Sequence, residues 1–120
     1  MSENIISLIT QLNRYTLSGS LNWNREEPPM NIKAGTDSYI PLFFSTMFQN
    51  SKIGVYEERY RNCTDSEKQY WDNKIILCLV DIENNISTWE YLENPSILYN
   101  LFDSIKYKTS GISDILNKFK

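Results

Sequence analysis

Between Lys74 and Ile82 the chain reads Lys-Ile-Ile-Leu-Cys-Leu-Val-Asp-Ile, with six apolar residues in a row and neither Gly nor Pro. A run of this length, rich in β-branched residues, is too short for a buried helix and suits a strand covered on both faces. Such a strand needs hydrogen-bonded neighbours on each side and something apolar above and below it. The rest of the chain must therefore supply a sheet and a helical layer.

The N-terminal segment supplies the first helix. Ile5, Leu8, Ile9 and Leu12 recur at helical spacing, Ser2 and Glu3 suit its first turn, and Gly19 suits a left-handed terminus. Leu21–Arg25 alternates apolar and polar residues as a half-buried strand does. Pro28 and Pro29 then break regular structure, and residues 26–37 read as an exposed loop closed by Gly35-Thr36-Asp37. Residues 39–49 and 52–61 read as a hairpin around Asn50-Ser51, with Pro41 tolerated near a strand end. Along the second of these strands Ile53 and Val55 share a face with Glu57, Arg59 and Arg61, while Gly54, Tyr56, Glu58 and Tyr60 share the other. That strand is expected on the more exposed side of the sheet.

Residues 62–72 are polar and read as a loop leading into Lys74–Ile82. Glu83-Asn84-Asn85 marks a turn, and residues 86–92 read as a last strand. Pro95 after Asn94 opens a helix with an apolar stripe of Ile97, Leu98, Leu101, Phe102 and Ile105. Thr109-Ser110-Gly111 interrupts it, and Ile112, Ile115, Leu116 and Phe119 form a final short piece. The order predicts an α+β fold. An antiparallel sheet of about five strands carries N- and C-terminal helices on one face, in a single domain over residues 1–120.

Composition narrows the function. A net charge of −3 with interspersed signs offers no basic stripe, so duplex nucleic acid is not an expected partner. The absence of histidine removes the commonest general base and metal ligand together. No phosphate loop, dinucleotide glycine pattern or Gly-x-Ser-x-Gly occurs, so no catalytic residue, metal or cofactor is predicted. Asp81 with Glu83 is the nearest carboxylate pair for a metal-dependent hydrolase. Cys78 sits in the buried strand and Cys63 in a polar stretch, which argues against a Cys63–Cys78 disulfide and fits a reducing compartment. Met1-Ser2-Glu3-Asn4 does not resemble an export signal and no apolar run reaches membrane-spanning length, so a cytoplasmic protein away from membranes is expected.

The aromatics carry more information. Phe43, Phe44, Phe48 and Phe102 sit among apolar neighbours and read as core, whereas Trp23, Tyr56, Tyr60, Tyr70, Trp71, Trp89 and Tyr91 sit among polar ones. Rings in polar settings either cover sheet margins or anchor a partner protein. Joined by Arg59, Arg61 or Lys68 they could instead stack on a base and pair with phosphates. The first option gives a binding protein engaging a protein partner through Tyr56, Arg59, Tyr60, Arg61, Tyr70, Trp71 and Trp89, with self-association a further expectation. The second gives a module that sequesters a small nucleotide-type ligand.

The opening Leu8-Ile9-Thr10 … Tyr15-Thr16-Leu17-Ser18-Gly19-Ser20-Leu21-Asn22-Trp23 resembles small bacterial and phage accessory proteins in which a helix ends in Thr-x-x-Gly-x-Leu-x-Trp before a sheet. The Asn-, Ile-, Lys- and Tyr-rich composition matches such an origin. The resemblance implies an immunity, defence or anti-defence protein that binds and blocks another protein. It carries over no catalytic residue.

Overall fold

The computed structural model describes residues 2–33, 39–65, 68–93 and 95–119; the side chains of residues 2, 3, 33 and 61–71 lie outside the described set. The elements run α1 (Ser2–Ser18), β1 (Asn24–Arg25), α2 (Met30–Lys33), β2 (Tyr39–Phe48), β3 (Ser51–Asp65), β4 (Lys68–Asp81), β5 (Ile86–Tyr91), α3 (Ser96–Thr109) and α4 (Ile112–Phe119). The five strands form one antiparallel meander in sequence order, β1-β2-β3-β4-β5. This is the expected α+β architecture.

α1 and α3 lie on one face of the sheet, here called the front. Ile9 and Leu12 of α1 and Leu98, Leu101, Phe102 and Ile105 of α3 pack on Phe44, Ile53, Val55, Ile75, Leu77 and Tyr91. The period of two sends the alternate residues Phe43, Tyr56, Ile76, Cys78 and Val80 to the back, where Ile32 from α2 and Ile40 from β2 itself pack against them. β4 is thus buried on both faces from Ile75 to Cys78. On the front the covering ends at Leu79, which is 38% exposed, while Val80 on the back stays buried.

The cover of the back face comes from the segment that reads as an exposed loop. Pro28 and Pro29 are buried, and residues 26–33 cross the back of the sheet from its β1 edge to its β5 edge. Two polar clasps hold this strap. The Lys52 ammonium lies 2.7 Å from a Glu26 carboxylate oxygen. At the far edge the Asn31 side-chain amide donates to the Ser87 carbonyl (2.8 Å) and accepts from the Ser87 amide (2.9 Å). The second clasp fills main-chain groups of an edge strand as a sixth strand would. The Gly35-Thr36-Asp37 turn lies outside the described residues.

Four other expectations need correction. Residues 62–65 and 68–72 are not a loop, because the β3–β4 ladder continues from Lys52↔Val80 to Asp65↔Lys68. Pairing with β2 ends at Arg59 and with β5 at Leu77, so the ladder beyond is a two-stranded ribbon, and a ribbon in water needs no apolar face. For the same reason β3 is no margin of the sheet: it is the central strand, and Val55 and Tyr56 are fully buried. The hairpin turn falls one residue early, at Gln49 and Asn50, whose φ of 51° and 66° are those of a two-residue primed turn. Finally, α3 starts at Ser96 with Pro95 at its cap and no side-chain capping bond; Asn94 lies outside the described residues.

Candidate functional site

Sequence reasoning grouped seven residues into one surface, and the structure disperses them. Tyr56 is on no surface. Its ring is fully buried, stacked on Phe43 at 5.6 Å and 24°, and its hydroxyl donates to Glu90 Oε2 at 2.6 Å. Burial first, then the Glu90 carboxylate, pushes its phenol above the ordinary range. The polar neighbours that made Tyr56 look exposed are Glu57, which the strand's alternation sends to the other face, and Glu58, which follows two residues along on the same face. Glu57 is itself nearly buried at 8% exposure, accepting from Asn73 Nδ2 at 2.9 Å.

Arg59 points to the front, donating to the Tyr39 hydroxyl at 3.1 Å and lying 3.5 Å from Glu57 Oε2. Tyr60 faces the back, with Asp72 at 3.5 Å and the Lys74 ammonium 5.2 Å from its ring centre. The side chains of Arg61, Lys68, Tyr70 and Trp71 lie outside the described set. Trp89 stands on the front, opposite Leu79. Arg59 is six residues along β3 from Ile53, which lies beside Trp89, and that is about 20 Å of strand. Arg59 and Trp89 therefore do not form a joint base-and-phosphate site.

Trp89 instead rims a cleft that sequence reasoning missed. Leu8, Ile53, Leu77, Leu79 and Trp89 enclose about 400 Å³ on the front, between α1 and the β4–β5 end of the sheet. Ile53 and Leu77 are buried and form its floor, while Leu79 and Trp89 are each 38% exposed and form its rim. The cleft exists because the helices stop short of this end of the sheet while the apolar pattern of β4 continues. The register also slips here, since Leu79 pairs with Trp89 but Val80 with Ser87, leaving Thr88 as a bulge. Trp89 is held by stacking on Tyr91 at 6.1 Å and 22°. The usable signal was an apolar run longer than the helical stripes opposite it.

The other sites contain less. Both Asp81 carboxylate oxygens serve the β4–β5 turn, accepting from the Glu83 amide at 3.1 Å and Asn84 Nδ2 at 2.8 Å. Among the described residues no three acidic or sulfur side chains gather as a metal site would require. Cys78 is buried and free, its thiol pushed up to about 12 by burial and then by Glu90. The ladder places Cys63 nine residues along β3 from Gly54, the partner of Cys78, about 30 Å away. A mixed groove of about 490 Å³ lies where α1 and α3 end, with Arg25 and Lys108 among its lining residues. Among the described residues no helix is long and apolar enough to cross a membrane.

Comparison with protein-family models, with curated proteins and with solved structures returns no match for the chain.

Proposed function

We propose that this protein is a non-enzymatic interaction module that holds a protein partner at the front-face cleft, with Trp89 as the anchor. One observation carries the reading: a cleft lined by five apolar residues whose rim leaves an indole and a leucine in water. Exposed apolar surface around a buried floor is what a partner's side chains fill, and a central tryptophan is a common energetic hot spot. Such a module fits the accessory role suggested by the N-terminal pattern, acting by occupancy, in a reducing cytoplasm where a buried thiol such as Cys78 persists.

The test compares host-lysate capture by three immobilised baits: wild type, Trp89→Ala and Arg59→Ala. The expected result is retention of the same specific proteins by wild type and Arg59→Ala, with at least tenfold loss for Trp89→Ala. Equal capture by Trp89→Ala, with its circular dichroism unchanged, would remove the cleft as the contact surface.

A further inference from the structure

We infer that the cleft's occupant is the C-terminal helix α4 of a second copy of this chain, exchanged reciprocally in a two-fold dimer. This inference rests on the cleft being a docking surface, and it names the partner.

Among the described residues, α4 has an apolar stripe and no buried side chain. Ile112, Ile115, Leu116 and Phe119 recur at i, i+3, i+4 and i+7, and they are 37%, 60%, 50% and 88% exposed. An eight-residue helix is unstable alone in water, so such a stripe needs a surface to lie on. The cleft is the complementary feature: a concave apolar surface that none of the described residues fills. Helix in groove is an established way for these two shapes to meet.

Charge orients the pairing. α4 carries Asp114 in its first turn and Lys118 in its last. Asp81 and Glu83 lie beside Leu79 in the groove adjoining the cleft, which Lys52 also lines. A seated α4 meets opposite charge there with its C-terminal end, around an apolar centre. α4 also leaves the body at a natural pivot. It follows Ser110-Gly111, where Gly111 has φ +80°, a conformation only glycine adopts at no cost.

The size fits. The four stripe residues expose on the order of 500 Å², so one seated helix removes about 1,000 Å² from water and a reciprocal pair about 2,000 Å², enough for a stable dimer. Reciprocal exchange also satisfies the rule that a closed dimer uses each surface twice.

Sedimentation velocity on the full chain at tens of micromolar tests the proposal. Wild type is expected to be a dimer, whereas Ile115→Ser with Phe119→Ser is expected to be a monomer. Trp89→Ala and, independently, Leu79→Ser should also be monomers. Mixing the α4 variant with Trp89→Ala should restore a heterodimer, because one intact helix and one intact cleft remain, at least tenfold weaker than wild type. A monomeric wild type, a dimer that survives the α4 changes, or association only with anionic lipid vesicles would each overturn it. If wild type is monomeric yet Trp89→Ala abolishes lysate capture, self-docking fails and the cleft stands; if capture is indifferent to Trp89, the cleft itself fails.

Discussion

The Thr16 hydroxyl joins the first helix to the sheet. It donates to the Leu12 carbonyl at 2.6 Å and accepts from the Trp23 indole at 2.9 Å, with both side chains buried. Gly19 makes the return possible, ending α1 at φ +82° so that the chain turns back beneath its own helix. The Thr-x-x-Gly-x-Leu-x-Trp spacing is visible in the sequence, but its bond is not, because nothing local says that the indole returns to the threonine. Thr16→Val strands the indole N–H in the core and should cost about 1–3 kcal/mol in urea unfolding. Gly54 is bound by a different limit. A Cβ there would stand 2.7 Å from Phe43 Cζ and 2.8 Å from Cys78 Sγ, so Gly54→Ala should cost about 1–3 kcal/mol by overpacking. Cys78 itself predicts a pH dependence. Its thiol is ordinary near 9 when unfolded and pushed up to about 12 in the fold, so the unfolded chain loses this proton first. The stability it contributes is whole below pH 9 and is lost as the pH climbs toward 12, at about 1.4 kcal/mol per pH unit. Cys78→Ala should flatten the stretch from pH 9 to 10; the same slope in both proteins would contradict this.

Strands with an apolar period could be read from the sequence, and those without one could not. β2, β5 and the buried half of β4 follow from alternation and apolar runs, whereas the polar ribbon beyond Arg59 and Asn73 is held by backbone pairing that leaves no compositional trace. The strap of residues 26–33 failed for the opposite reason. Its two prolines break secondary structure and so suggest solvent, yet proline is also a compact apolar residue, and Pro28 and Pro29 are buried. What fixes the strap is long-range, since Asn31 and Ser87 lie 56 positions apart. Asn31→Ala removes both bonds and should lower stability by about 1–3 kcal/mol. It should also speed hydrogen exchange at the Ser87 amide more than at amides of β3. Uniform exchange at these sites would mean that the strap is held by its apolar contacts alone.

At the scale of the molecule, one face is sealed by the strap and the other is left open at one end. Trp89 was legible as a candidate because an aromatic among polar neighbours was already noteworthy. Tyr56 showed the same local pattern and is fully buried, since only the sheet's register decides which face a residue takes. Leu8 was legible only as core, because a helical stripe does not disclose which of its flanks the opposing layer leaves bare. The open end and the exposed stripe of α4 are the two surfaces that the proposed dimer brings together. The measurement that bears on this most directly is photo-crosslinking from a benzoylphenylalanine placed at Leu79, with a second placed at Ser104 as control. Crosslinked peptides joining position 79 to residues 112–119 of another copy, absent from the control, are the predicted result. Position 79 that reacts only with water, or only with its own chain, would contradict the account.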